Sequence, residues 1–351
     1  MGNITTLKVV KRVEETADAV SLYFKKPFFT RINYLSGQFL TLVFTINGQE
    51  YRRAYSLNSS PNIDKELSVT VKKVKGGVVS NYVFNQVKVG DVITVMKPRG
   101  TFSLLPKEVT QRHVVLFGGG SGITPLISIA KSVLNKEPKS FVTLVYCNQN
   151  EDAIIFKNIL LELEKSHVGK FRVIHILEQP LRHWNGLIGR LSSERIGELL
   201  KSIAKLMTIK SEYYICGPGG MMDAVEKGLE INHIPKEQIF KESFTGNSEG
   251  IKPEAQNLNF EPRTMKVIIN KQEYGLHVPA NTTILDAALQ NKLKMPFSCC
   301  SGSCATCMCK VKYGDVKMVG KTCLSEKDIS KGYVLACMSY PVSEEVVLQV
   351  E

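Results

Sequence analysis

The sequence predicts a multidomain chain: an antiparallel β-barrel, then an α/β unit with a doubly wound parallel sheet, then a smaller α+β unit. Three observations carry this. Residues 1–106 alternate apolar and polar side chains in short runs. Residues 107–246 change to apolar strands interleaved with amphipathic helical stretches. The last part, 264–351, holds the run CCSGSCATCMC, five cysteines between Cys299 and Cys309.

The barrel strands read as TLKVVKRVE, AVSLYFKK, QFLTLVFTING, EYRRAYSL, ELSVTVKKV and DVITVMKP. Asn47-Gly48 is a hairpin turn signal, and strands this close together close most simply as a small antiparallel barrel. In the second part HVVLF, FVTLVYC, FRVIHIL and EYYIC are strands, with PLISIAKSVL and AIIFKNILLELEK as helices between them. That alternation is the βαβ signature. Residues 247–263 are polar and rich in Pro, Gly and Asn without periodicity, the composition of a linker. Beyond it MKVIINKQEYGLHVPAN forms a hairpin, TILDAALQNKL a helix, and VLACMSYPVS a strand.

Composition narrows the function classes. Hydrophobic content of 43% and charged content of 22% are ordinary for a soluble protein. No apolar run reaches eighteen residues, so no membrane span is expected. The start lacks a signal-peptide core, and a cytoplasmic location is the expectation. Met1-Gly2-Asn3-Ile4-Thr5-Thr6 fits the loose myristoylation pattern, but the following residues read as a strand. The net charge of +12 raises nucleic acid as a partner; the lysines are spread among acids, so a solvated surface is the better reading and no nucleic acid is expected.

Two glycine-rich segments and one strand suit cofactor binding. In Arg53-Ala54-Tyr55-Ser56 an arginine can neutralise a diphosphate, a tyrosine can stack on a flat heterocycle, and a serine can hydrogen-bond a ring nitrogen. Downstream, Gly76-Gly77 opens a helical stretch whose backbone N–H groups and Ser80 hydroxyl suit a phosphate, although a plain glycine turn reads the same way. Gly118-Gly119-Gly120-Ser121-Gly122-Ile123-Thr124-Pro125 follows the strand HVVLF and opens a helix, the context a dinucleotide loop requires. Pro125 suits the first helical turn. Cys216-Gly217-Pro218-Gly219-Gly220-Met221 follows the strand EYYIC in the same manner. Cys216 alone would be read as a buried inert thiol; its place before Gly217-Pro218 favours a site.

The cysteine run contains a single Cys-x2-Cys pair, Cys304 and Cys307, where a zinc ribbon wants two. The spacing Cys299-x4-Cys304-x2-Cys307, with Cys337 after another 29 residues, matches the plant-type [2Fe–2S] pattern. Gly302 and the small Ser301, Ser303 and Ala305 allow the backbone close to the cluster. Cys300, Cys309 and Cys323 are left outside the ligand set.

These motifs, in this order, resemble the ferredoxin-NADP reductase family fused to a C-terminal plant-type ferredoxin of the β-grasp fold. The order of parts is similar to reductases of multicomponent oxygenases, and most of all to the phenylacetyl-CoA oxygenase (ring epoxidase) reductase group. The resemblance implies that NAD(P)H delivers a hydride to FAD, whose electrons pass singly to the [2Fe–2S] cluster and on to an oxygenase or hydroxylase component. It implies a FAD site of Arg53, Tyr55, Ser56, Val71, Lys72, Gly77, Val78, Ser80 and Phe244. The nicotinamide nucleotide would meet Gly120, Gly122, Thr124, Cys216, Gly217, Pro218 and Met221, with Ser56, Tyr55 and Cys216 nearest the chemistry. Cys300 stands where relatives commonly carry a basic residue. Relatives that choose NADPH place cations where this chain reads Asn148-Gln149 and Leu177-Glu178-Gln179, although Arg182 and Arg190 lie nearby. Two other readings stay open: a stand-alone NAD(P)H oxidoreductase that reduces a soluble carrier or a quinone, and a cluster-based redox sensor. Intact hydride-donor motifs speak against the sensor.

Overall fold

The computed structural model describes residues 4–26, 32–181, 183–204, 209–244, 259–300, 302, 304–320, 322–324 and 326–350. The chain divides into two compact units: Met1–Tyr51 with Tyr55–Phe244, and Thr245–Glu351 with Arg52–Ala54. Of the expected linker, residues 247–258 lie outside the described residues, as do Arg182, Ser301 and Ser303.

The first unit begins with six strands: β1 (Ile4–Thr16), β2 (Ala19–Phe24), β3 (Phe39–Ile46), β4 (Gln49–Ser56), β5 (Leu67–Lys72) and β6 (Val92–Met96). They pair in the order β4-β3-β6-β1-β2-β5. An antiparallel bridge between Leu57 and Val69 joins the two outer strands and closes the barrel. Asn47 and Gly48 connect β3 to β4 with φ of 50° and 78°, the left-handed pair that a tight hairpin demands. Inward-facing Leu22, Leu40, Leu42, Leu67 and Val95 fill the interior. One helix, α1 (Val78–Gln86), lies between β5 and β6.

The same unit continues with six parallel strands: β7 (His113–Gly119), β8 (Phe141–Asn148), β9 (Phe171–Leu177), β10 (Leu187–Ile188), β11 (Ser211–Cys216) and β12 (Ile239–Glu242). Helices α2 (Ile123–Lys136), α3 (Lys157–Ser166), α4 (Ser193–Ala204) and α5 (Gly219–Ile231) cover the two faces. The order β10-β9-β8-β7-β11-β12 means that the chain runs outward from β7 and returns to lay β11 on its other side. The crevice beyond the carboxyl ends of β7 and β11 is therefore the switch point where such sheets bind ligands. At the opposite ends of these strands a part-buried ion network ties the sheet together. Arg112 forks onto Glu137 at 3.1 and 2.6 Å and reaches Glu212 at 2.7 Å. One element differs from expectation: α3 starts at Lys157 rather than near Ala153. Phe156 sits at φ 64°, and Glu151–Ala153 make a 3₁₀ turn in which the Asn150 side chain accepts the Ala153 N–H.

The second unit holds β13 (Arg263–Ile269), β14 (Gln272–Val278), β15 (Met308–Tyr313), β16 (Val316–Met318), β17 (Tyr333–Leu335), β18 (Ser339–Pro341) and β19 (Val347–Val350). Five of these form one mixed sheet in the order β14-β13-β19-β15-β17, while β16 pairs with β18. Helix α6 (Ile284–Gln290) is capped by Thr283, whose hydroxyl accepts the Asp286 N–H. Its Leu285 and Ala288 pack with Val267, Leu276 and Leu348 across the sheet. A short α7 (Glu326–Ser330) precedes β17. The run VLACMSYPVS is not one strand. It breaks into β17, a 3₁₀ turn Ala336–Met338, and β18, because the chain crosses here from the large sheet to the small one. Among the described residues no helix is long and apolar enough to cross a membrane.

Candidate redox site

Strand β4 ends on the expected flavin triplet. Tyr55 is half-buried against the barrel core, Ser56 is buried, and Arg53 turns Nη1 onto the Arg52 carbonyl at 2.9 Å. Val71 and Lys72 end β5, with Lys72 3.4 Å from Asp18. Gly77 N-caps α1, Val78 is its first residue, and the Ser80 hydroxyl oxygen accepts the Val74 N–H at 3.1 Å. The Ser80 oxygen therefore shapes the glycine turn. A Cβ on Gly77 would lie 2.7 Å from it, which explains a glycine in this cradle.

The two glycine segments of the nucleotide sheet interlock. The β7–α2 connection turns through a 3₁₀ segment, Gly120–Gly122, with Gly120 at φ 51°, and the Tyr146 hydroxyl donates to its carbonyl at 2.9 Å. A Cβ on Gly122 would lie 2.0 Å from the Cys216 carbonyl oxygen and 2.8 Å from the Gly217 nitrogen. One on Gly119 would meet Pro218 and the Met221 sulfur at 2.7 and 2.8 Å. Thr124 is buried and donates to the Ser121 carbonyl at 3.0 Å. The expected residues Gly120, Gly122, Thr124, Cys216, Gly217, Pro218 and Met221 thus meet at the switch point.

Sequence reasoning takes Lys241-Glu242-Ser243-Phe244 as the segment that closes this part near the flavin, and gives Glu242 itself no role. It ends β12 in register with Cys216, and its carboxylate accepts the Ser56 hydroxyl at 3.2 Å. Ser56 comes from the barrel and Glu242 from the parallel sheet, so this bond spans the seam between them. Burial pushes the Glu242 carboxyl up to about 8, against which the Ser56 hydrogen bond works in the other direction. Burial, then the neighbouring Glu242, likewise raises the Cys216 thiol. The available signal was an acid at the end of the last strand, beside the strand that feeds Cys216-Gly217-Pro218. Phe244, two residues on, packs against the sheet core.

In the second unit the four expected cysteines come as two pairs. The Cys299 N–H donates to Cys304 Sγ at 3.5 Å, and these two thiols interact directly. Cys307 and Cys337 form the other pair; their hydrogen bond, followed by burial, raises the Cys337 thiol. The Ala336 N–H, donating to the Cys307 carbonyl at 3.0 Å, ties the 3₁₀ turn to the loop. Left-handed Cys300, Gly302 and Ala305, with φ of 54°, 77° and 52°, curl the loop back on itself. Among the described residues no three Cys, His, Asp or Glu side chains gather around one point as a mononuclear metal would require. Two pairs instead suit a two-iron cluster with four thiolates. Of the remaining thiols Cys309 is buried in β15, Cys323 is half-buried, and Cys300 is exposed.

Comparison with known proteins agrees in order and content. Residues 6–104 match an oxidoreductase FAD-binding domain, 116–227 an oxidoreductase NAD-binding domain, and 267–342 a 2Fe-2S iron-sulfur cluster binding domain. The chain is 32% identical over 353 residues to a component of the 1,2-phenylacetyl-CoA epoxidase of Escherichia coli, covering 99% of this chain and 98% of that protein. It is 34% identical over 356 residues to the ferredoxin reductase component of 3-ketosteroid-9-alpha-monooxygenase from Mycolicibacterium smegmatis, covering 98% and 96%. Among solved structures, phthalate dioxygenase reductase shares the fold, with a TM-score of 0.60 at 22% identity over 99% of this chain and 98% of that one.

Proposed function

Because the chain belongs to the family of oxygenase reductase components with FAD-binding, NAD-binding and 2Fe–2S domains, we propose that it feeds electrons from NAD(P)H to an oxygenase or hydroxylase partner. In this reading 1–106 is the flavin barrel, 107–246 the nicotinamide unit, and 264–351 the ferredoxin. When bound, FAD takes up a hydride and releases single electrons, and the cluster carries them one at a time.

The chain's own residues supply placement and proton control. Arg53 and the α1 N-terminus, with Gly77, Val78 and Ser80, hold the flavin diphosphate, flanked by Val71 and Lys72. Tyr55 would stack on the ring system, Ser56 would present its hydroxyl to it, and Phe244 would lie near it. Gly120, Gly122, Gly217, Pro218 and Met221 shape the nucleotide crevice, with Thr124 and Cys216 at its nicotinamide end. Glu242, held protonated near neutrality, keeps a proton one hydrogen bond from Ser56. Cys299, Cys304, Cys307 and Cys337 bind the cluster.

The observation that carries this reading is the meeting of Ser56, Cys216 and Glu242 where barrel and sheet join. A cytoplasmic location belongs to the same reading, since the thiols that would hold the cluster need a reducing compartment. Cys304→Ser tests the relay. The variant should retain FAD and still reduce a two-electron dye with NAD(P)H, while one-electron reduction of cytochrome c is lost. Parallel loss of both activities, or loss of neither, would show that electrons do not leave through the cluster.

A further inference from the structure

Helix α2 presents a polar stripe to the barrel. Thr124, Ser128 and Lys131 stand at i, i+4 and i+7 and so share one face, while Leu126, Ile129, Ala130 and Val133 pack into the core. Ser128 and Lys131 are bonded to the segment that follows strand β4. The Ser128 hydroxyl donates to the Ser59 carbonyl at 2.6 Å, and the Ser60 hydroxyl donates back to the Ser128 carbonyl at 2.8 Å. Further along the helix, Lys131 Nζ reaches the two Asp64 carboxylate oxygens at 3.3 and 3.2 Å.

The barrel side of this clasp is itself held in place. The Ser60 N–H donates to Asp64 Oδ2 at 2.6 Å, and the Asp64 N–H returns to the Ser60 carbonyl at 3.2 Å. The Ser59 hydroxyl meets the Tyr34 hydroxyl at 2.9 Å and accepts the Ser68 N–H at 3.1 Å. The Leu57 and Asn58 N–H groups donate to the Gln38 and Ser68 carbonyls at 2.8 and 3.0 Å. Ser59, Ser60 and Ser128 are all fully buried. Apolar packing in such a place would tolerate sliding, whereas a reciprocal pair of directional hydrogen bonds admits one register.

In the reductase reading Thr124 flanks the nicotinamide and Ser56 the flavin. Ser128 lies four helical residues from Thr124, about 6 Å. Ser59 lies three extended residues from Ser56, about 10 Å. We propose that the hydrogen bonds of Ser128 with Ser59 and Ser60 set the separation between nicotinamide and flavin, which makes Ser128 a positioning residue for hydride transfer. This rests on the reductase reading and deepens it. A displacement near 1 Å costs about a hundredfold in rate, and loss of one of the two bonds releases part of that.

Stopped-flow mixing of the purified holoprotein with NADH or NADPH, whichever the unmodified protein prefers, tests this. Ser128→Ala should reduce its flavin about tenfold more slowly at saturating nucleotide, with FAD content and the nucleotide dissociation constant unchanged. The long-wavelength charge-transfer absorption of the flavin–nicotinamide complex, which depends on overlap of the two rings, should weaken in parallel. Ser60→Ala breaks the clasp from the barrel side and should reproduce both changes. Ser132→Ala is the control. Ser132 is a buried serine of the same helix whose hydroxyl has no partner among the described residues, so this variant should match the unmodified protein in rate and absorption. Equal slowing in Ser128→Ala and Ser132→Ala would overturn the proposal, because the helix would then merely have loosened. So would an unchanged rate and absorption in Ser128→Ala, or a weaker dissociation constant with the saturating rate intact. If neither nucleotide reduced the flavin of the unmodified protein, the reductase reading itself would fall, an outcome separate from failure of the clasp alone.

Discussion

Replacing Glu242 with Gln removes a titration whose size follows from its surroundings. The carboxyl has an ordinary value of 4.5 and is raised to about 8 by burial. A folded-state value above the unfolded one means that the folded protein holds a proton the unfolded chain has released. Stability is then fully present below pH 4.5 and is lost as pH rises through 8. At 1.36 kcal/mol per unit the whole window is worth about 5 kcal/mol, and the interval from pH 5 to pH 8 about 4 kcal/mol. Glu242→Gln keeps the shape and a hydrogen-bonding group for Ser56 but does not titrate. Urea unfolding of the holoprotein at pH 5, 6, 7 and 8, followed by flavin fluorescence, gives the difference between the two proteins. Subtracting one from the other cancels all other titrations. The unmodified protein should lose about 4 kcal/mol relative to Glu242→Gln across that range. A difference that stayed flat, or grew in favour of the carboxylate, would refute the argument that this acid is buried and protonated.

Other perturbations follow from the same geometry. Gly122→Ala drives a methyl group into the Cys216 carbonyl, so the two loops must separate. FAD content should hold while flavin reduction by the preferred nucleotide falls about a hundredfold, the usual penalty for a misplacement near 1 Å. Glu137→Ala leaves part-buried Arg112 with Glu212 alone and should cost about 1.5–3 kcal/mol in urea unfolding, with the nucleotide crevice at the far end of the strands intact.

Much of this molecule is legible in its sequence because periodicity and glycine placement are local signals. The Asn47-Gly48 hairpin, the βαβ rhythm and the cysteine spacing each depend on residues near one another in the chain. What escaped has a common cause: it depends on pairing between distant segments. Glu242 matters because β12 lies in register with β11 and because Ser56, 186 residues earlier, reaches it. The bend at Cys337 exists because β17 and β18 belong to different sheets, which no property of VLACMSYPVS announces. The late start of α3 reflects a left-handed Phe156, a conformation that phenylalanine seldom takes without tertiary support.

The contact between the Gly119–Gly122 and Cys216–Pro218 segments is made by main-chain atoms at Gly122, Cys216 and Gly217, with the Pro218 ring and the Met221 side chain packed beside Gly119. A cleft built in this way has its shape set by the strand ladder beneath it, before any ligand arrives. Little conformational freedom is left to be lost on binding, so nucleotide exchange can be rapid without weak or imprecise docking. For a protein that must accept, discharge and release a carrier in every catalytic cycle, such stiffness suits traffic as well as affinity. It also makes Gly119, Gly122 and Gly217 poor places for any other residue, since an added carbon atom would collide at each.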